Sequence, residues 1–308
     1  MQRRECRVVY REARPHRLWY EVRDMRLPEI FESLPPGLLE TLRRLGTAEL
    51  EEVHLRLGRR TEAVLCGESR LLDHRAGPED LRILLEAATG YSLYAAEESL
   101  REGFCTTRDG CRIGVAGTVS GAGGVREVSS LNLRVARAVR GVADGLLPAL
   151  RRKPASVLIV GGPGCGKTTL LRDLIRQVSD GLGQRVGVAD TRCELAACHR
   201  GVPQLDLGER TDVLSGGSRE QGMLRLLRTM NPGWIAVDEI TDEADVQAMA
   251  RCAGCGVRLL ATAHADGLKD LRRRPVYRML LERRIFGLLV ELAGPGRWKL
   301  IEWGENDA

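Results

Sequence analysis

Long apolar runs are missing from this 308-residue sequence. A membrane-spanning helix needs roughly 18–20 apolar residues in succession. The longest charge-free stretches, Ile113–Val125 and Pro154–Gly166, are shorter and punctuated by glycine. No transmembrane anchor is expected within these residues. The first 24 residues also lack the apolar core of a secretory signal. They hold seven arginines against four acidic residues, a local +3. Such a segment suits either a basic arm for a membrane surface or nucleic acid, or an artefact of gene-start choice. The reading taken is that the natural start is Met25. Lysine is scarce too: only Lys153, Lys167, Lys269 and Lys299 occur, so the other 43 of 47 basic residues are arginine. Guanidinium forks suit phosphate, but 42 acidic residues are interleaved with them and no long basic block occurs. The arginine excess therefore reads as solvated surface in which arginine replaces lysine. Aromatic residues are only 4%, which argues against a base-stacking platform. No direct nucleic-acid partner is expected. The nine cysteines are odd in number and scattered, which points to a reducing cytosol and not to a disulfide framework. Cys252 and Cys255 have metal-ligand spacing, but they fall in a helix-to-strand pattern, so small buried apolar cysteine is preferred to zinc.

What is present is the composition of a globular chain, 43% apolar and 29% charged, with length for two domains. From Leu27 to about Gly145 the pattern is mixed α+β. Helical spacing follows Pro35–Pro36, and a strand is expected over Glu51–Leu57, with Val53, Leu55 and Leu57 on one face and Thr61–Cys66 as partner. A helix runs from Pro78 to Thr89, and a second from Ser92 to Glu102. Phe104–Thr107 and Cys111–Val119 form a hairpin, Gly121–Gly124 makes a tip, and Leu131–Val139 resumes strand alternation. The stretch Leu146–Pro154 marks the boundary. Beyond it, Ser156–Val160, Arg185–Ala189, Trp234–Val237 and Arg258–Ala263 are short apolar runs separated by helical patterns, as in a buried parallel sheet. Gly294–Gly296 divides a terminal hairpin. The expected domains are a basic extension over 1–24, an N-terminal α+β domain over 25–147 and an α/β domain over 148–308.

The strongest chemical signal is Gly161, Gly162, Pro163, Gly164, Cys165, Gly166, Lys167 and Thr168, a full G-x-x-x-x-G-K-[ST] match between an apolar strand and a helix beginning near Thr169. Its glycines let backbone N–H groups converge on phosphate without Cβ clashes. The helix N-terminus adds favourable partial charge. Lys167 is expected to reach the β- and γ-phosphates of ATP, and Thr168 to help hold Mg²⁺. Downstream, Asp238 and Glu239 follow the apolar strand Trp234–Val237. Asp238 suits the Mg²⁺ water shell, and Glu239 suits polarising the attacking water. A third strand end supplies Thr262 and His264, where a polar group can report the γ-phosphate. A fourth carries Asp190, Arg192 and Glu194; its acids suit either the metal and water or a cap on the next helix. Arginine must also offset the transition-state charge, and with 43 present composition singles out none.

Taken in order, these motifs resemble the stage III sporulation protein AA family of endospore-forming bacteria, a relative of the hexameric ATPases of type II and type IV secretion and of pilus retraction. The resemblance covers about Leu27 to Trp303. It rests on Tyr91–Tyr94 with Glu97 and Glu98, Cys111–Gly117, Leu131–Arg137, the glycine loop, Val188–Glu194, Gly201–Gln204, Arg225–Pro232, Val237–Ile240 and Ala263–Gly267. It implies a RecA-like P-loop ATPase core preceded by a smaller α+β domain, and a homo-oligomeric ring, by resemblance a hexamer. By the same match Glu194 lies in an acidic box, Glu239 is the catalytic Walker B glutamate, His264 lies in a histidine box, and Arg112 and Arg134 fall in N-domain segments that bring arginine to the nucleotide. Family members are thought to act on the cytoplasmic, mother-cell face of the membrane around the forespore, energising membrane-embedded export proteins. Two positions depart from the pattern: Thr191 replaces an acid, and Thr118 replaces an arginine after Gly117. Two other readings stand beside ATP hydrolysis: a nucleotide-binding scaffold with little turnover, and a nucleic-acid translocase.

Overall fold

The computed structural model describes residues 8–9, 27–47, 49–90, 100–101, 103–119, 125–136 and 138–302. The expected Ser92–Glu102 helix (Leu100 and Arg101 aside), the Tyr91–Tyr94 motif with Glu97 and Glu98, the Gly121–Gly124 tip and most of the basic extension lie outside these residues. The chain divides into two compact units. One comprises Met1–Glu21, Ala138–Ala196 and Asp206–Ala308; the other comprises Val22–Arg137 and Ala197–Leu205. The short segment Ala197–Leu205 thus packs with the smaller unit although the sequence around it builds the larger. The first strand, β1 (Val8–Val9), belongs to the larger unit's sheet.

The smaller unit is a six-stranded sheet packed against helices. Its strands are β2 (Leu50–Arg56), β3 (Arg60–Leu65), β4 (Glu68–Arg75), β5 (Phe104–Thr106), β6 (Arg112–Val119) and β7 (Val125–Arg134), in the order β4-β3-β2-β7-β6-β5 with every neighbour antiparallel. Helix α1 (Pro36–Leu45) follows a 3₁₀ turn at Glu29–Ser33, and α2 (Pro78–Ala88) follows β4. Both helices open on proline, whose missing N–H is harmless in a first turn. Phe31, Leu38, Leu42 and Leu84 pack with Leu50, Val53, Leu55, Ile113, Leu131 and Leu133 of the sheet. Leu57 departs from the expected face. It lies one residue beyond β2 and is 45% exposed, because the chain turns there. β7 likewise starts at Val125 and ends at Arg134 instead of running from Leu131 to Val139.

The larger unit begins with α3 (Leu147–Arg152) and then alternates strand and helix. β8 (Val157–Gly161) leads to α4 (Lys167–Arg176), which a π-helical turn at Gln177–Gly181 extends. β9 (Val186–Asp190) and β10 (Thr211–Ser215) follow, then α5 (Arg219–Thr229), β11 (Trp234–Val237), α6 (Glu243–Gly254) and β12 (Arg258–His264). The chain continues through α7 (Leu268–Arg273), α8 (Pro275–Glu282), β13 (Leu288–Gly294) and β14 (Arg297–Glu302). The strand order is β1-β14-β13-β8-β12-β11-β9-β10. From β13 to β10 every pair is parallel; β14 and β1 are antiparallel additions. β8, β9 and β11 are buried along their whole length, which is why they read as unbroken apolar runs. Helices α5 and α6 start where Ser218 and Asp242 accept backbone N–H bonds from Gln221 and Asp245. No helix among the described residues is long and apolar enough to cross a membrane.

Candidate functional site

Parallel pairing fixes where the polar strand ends meet. Val237 aligns with Ala189 and Ala261, and Ala263 aligns with Val160. The C-terminal ends of β8, β12, β11 and β9 therefore share one rim of the sheet, the edge at which open α/β sheets bind ligands.

β8 delivers the chain into Gly162–Gly166, and α4 starts at Lys167. Gly164 and Gly166 have φ of +68° and +92°, a region L side chains avoid. A Cβ on Gly161 would lie 2.5 Å from Cys165 Sγ and 3.0 Å from the Leu292 carbonyl oxygen. Pro163 and Gly164 are exposed, Cys165 is buried, and Thr168 and Thr169 are half-buried in the first turn of α4. Lys167 is only 6% exposed. Its Nζ donates to the carbonyls of Gly161 at 3.0 Å and Gly162 at 2.9 Å, and to His264 Nδ1 at 3.1 Å. All three acceptors are neutral, and among the described residues no carboxylate pairs with this ammonium. Burying a cation without an anion is costly, and a phosphate group has the charge to offset it. The loop thus fits an anionic phosphate ligand.

Across the rim, Thr168 Oγ1 donates to Asp238 Oδ2 at 2.8 Å. This pair of hard oxygens is the type of donor set that takes Mg²⁺. The other Asp238 oxygen accepts from the Thr262 hydroxyl, which in turn accepts the Glu239 N–H at 2.7 Å. Thr262 is fully buried at 0% exposure, so one hydroxyl ties both acids to the neighbouring strand. Glu239 has a left-handed backbone, φ +61°. Its Oε1 lies 2.9 Å from His264 Nε2, and its Oε2 accepts from Arg192. His264 accepts from Lys167 at Nδ1 and so donates to Glu239 at Nε2. Lys167, His264, Glu239 and Arg192 form one connected row.

The β9 end is held differently. Asp190 is buried and accepts backbone N–H bonds from Glu194 at 2.9 Å, Leu195 at 3.2 Å and Ala196 at 2.8 Å. Burial pushes its carboxyl above the usual range, against the lowering effect of those three bonds. Arg172 of α4 donates to the carbonyls of Glu194 at 2.6 Å and Leu195 at 2.8 Å. Burial lowers its pKa, and the charges of Asp190, Asp238 and Glu194 oppose that shift. Arg219 donates to the Asp238 carbonyl at 2.9 Å and to Thr241 Oγ1 at 3.1 Å. Asp190, Arg192, Glu194, Arg219, Asp238 and Glu239 line a small cleft.

Sequence reasoning picked out Lys167, Thr168, Asp238, Glu239 and His264, and the structure brings them together. Arg192 stands in the sequence only as part of the Val188–Glu194 motif, and nothing there marks Arg172 or Arg219, whose partners are distant in sequence. A threonine interrupting the apolar run of β12 was the one visible trace of the Thr262 bridge. Arg112 and Arg134 lie in the smaller unit, directly opposite each other on β6 and β7. Arg112 stacks over Phe104 at 3.8 Å, and Arg134 pairs with Glu52 at 3.3 Å.

A parallel sheet with the glycine loop after β8, the acidic pair after β11 and β12 threaded between them defines a RecA-like P-loop fold. Solved structures share it. The pilus retraction motor PilT with bound ADP is 20% identical, covers 91% of this chain and 84% of its own, and superposes with a TM-score of 0.60. The Legionella pneumophila ATPase DotB is 18% identical over 82% of this chain and 74% of its own, with a TM-score of 0.56. The chain belongs to the sporulation stage III, protein AA family, whose model matches residues 29–302. Stage III sporulation protein AA of Bacillus subtilis (strain 168) is 38% identical over 283 residues, 87% of this chain and 92% of that protein.

Proposed function

We propose that this chain is a Mg²⁺-dependent ATPase that works in a homo-oligomeric ring at the cytoplasmic face of a membrane and energises an export apparatus during endospore formation. The buried Lys167 ammonium carries the reading. Its acceptors are the Gly161 and Gly162 carbonyls and the His264 ring, all of which a phosphate would outcompete. In this reading Lys167 exchanges neutral acceptors for phosphate oxygens, and residues 161–169 cradle the triphosphate. Thr168 and Asp238 would hold Mg²⁺, which would supply positive charge against the phosphates. Glu239 accepts a proton from the water that attacks the γ-phosphorus. The bond to the ADP oxygen breaks, giving ADP and inorganic phosphate. His264 links Lys167 to Glu239, so that phosphate arriving at one is felt at the other. Glu194 adds negative charge on the β9 side. By resemblance to the family, Arg112 and Arg134 are candidates for offsetting nucleotide charge.

The test is ATP turnover by purified protein with Mg²⁺. Lys167→Ala is expected to abolish it. Glu239→Gln is expected to retain nucleotide binding and block hydrolysis. Wild-type rates in both variants would overturn the assignment.

A further inference from the structure

Three arginines surround the acidic cleft, and their environments differ. Arg172 is half-buried, with its donors on the Glu194 and Leu195 carbonyls. Arg219 is also committed: its side chain is 12% exposed, bonds the Asp238 carbonyl and Thr241, and lies 3.6 Å from Asp245. Arg192 is the exception. Its side chain is 54% exposed, and it pairs with the carboxylate of Glu239.

Its backbone is not free to wander. Asp190 fixes the N–H groups of residues 194–196, and Arg172 fixes two of that segment's carbonyls. The Cys193 N–H returns to the Asp190 carbonyl at 3.3 Å. The loop that carries Arg192 is thus pinned from both sides, the support a precisely aimed side chain requires. On the receiving side, Glu239 is held through its N–H by Thr262 and through Oε1 by His264. Each carboxylate oxygen has two acceptor positions. His264 and Arg192 take one position on each oxygen, which leaves room for a water.

We infer that Arg192 is a positioning residue for Glu239: with His264 it clamps the carboxylate in a single orientation at the head of the cleft. This rests on the ATPase reading above. The arginine that serves this acid comes from the β9 loop of the same chain. A long carboxylate side chain released on one side samples other rotamers, and misplacement by an ångström costs about 10²-fold in rate.

The experiment compares wild type, Arg192→Ala, Arg192→Lys, Glu239→Gln and the double variant Arg192→Ala/Glu239→Gln. ATP turnover is measured with labelled nucleotide, so that residual rates are read, and ADP affinity is measured alongside. Arg192→Ala is expected to lower kcat by about tenfold or more, with KM for ATP and ADP affinity within about twofold of wild type. Arg192→Lys is expected to recover part of the loss. In the Glu239→Gln background, Arg192→Ala is expected to change the residual rate by less than about twofold, since the group it positions is gone. Wild-type kcat in Arg192→Ala overturns the inference alone, and so does an undiminished loss in the Glu239→Gln background. Absence of turnover in the wild type overturns the ATPase reading and takes the inference with it.

Discussion

Replacing Thr262 by valine isolates one hydroxyl in the centre of the site. Valine matches threonine in shape, so the packing of β12 between β8 and β11 is kept. What is lost is a buried oxygen that donates to Asp238 and accepts from the Glu239 N–H at 2.7 Å. A buried donor left without a partner costs about 1–3 kcal/mol, and a hydrogen bond to a charged group contributes about 1.5–3 kcal/mol. Asp238 keeps its bond from Thr168 at 2.8 Å, so the lower half of the combined range applies, about 2.5–4 kcal/mol. Thr262→Ser retains the hydroxyl and is expected to lose only the methyl packing, about 1 kcal/mol. Urea unfolding of the three proteins in parallel reads these differences as midpoint shifts. Turnover gives a second reading: Thr262→Val frees the Asp238–Glu239 backbone and is expected to lower kcat, while Thr262→Ser stays near wild type. A Thr262→Val protein as stable as wild type and fully active would refute the bridging role.

Gly161→Ala is expected to destabilise the larger unit by about 1–2 kcal/mol. The new Cβ would crowd Cys165 Sγ and the Leu292 carbonyl oxygen, so adding Cys165→Ala should return part of the loss in a denaturation assay. Asp173 is buried and accepts from the Ala143 N–H at 2.9 Å, from Gln177 at 2.9 Å and from Arg176 at 2.7 Å. Asp173→Ala leaves those donors without an anion and is expected to cost about 3–5 kcal/mol, read as a lowered unfolding midpoint. Burial raises the thiols of Cys105 and Cys111 to about 12 and that of Cys252 to about 11. Their thiolate fraction at pH 8 is therefore about 10⁻³ or less. Brief alkylation at that pH, mapped by mass spectrometry, should modify the exposed Cys66 and Cys255 and spare these three.

The strands of the larger sheet were legible because burial on both faces demands unbroken apolar runs, as in Val157–Val160 and Trp234–Val237. β10 was not, since Thr211–Ser215 is half-buried along its length and carries threonine, aspartate and serine. β4 was missed for a related reason: Leu72 is its one buried residue, so no alternation marks it. The glycine loop and the acidic pair were visible because backbone geometry and charge at those places restrict the residue type. The supports were not. Arg172, Arg192 and Arg219 are three among 43 arginines, and what distinguishes them is a partner 19 to 47 positions away. Asp190 reads in sequence either as an acid near the metal and water or as a cap on the next helix. In the folded chain its oxygens hold the backbone of residues 194–196.

The central claim is that Lys167 is a buried cation whose natural partner is a phosphate. Titration of wild type, Glu239→Gln and Lys167→Ala with ATP and Mg²⁺, followed by calorimetry, tests it most directly. Wild type and Glu239→Gln are expected to bind with similar affinity, and Lys167→Ala to lose binding by about 10²-fold or more, as befits a lost charge-assisted contact of about 3 kcal/mol. Undiminished ATP binding by Lys167→Ala would contradict the claim.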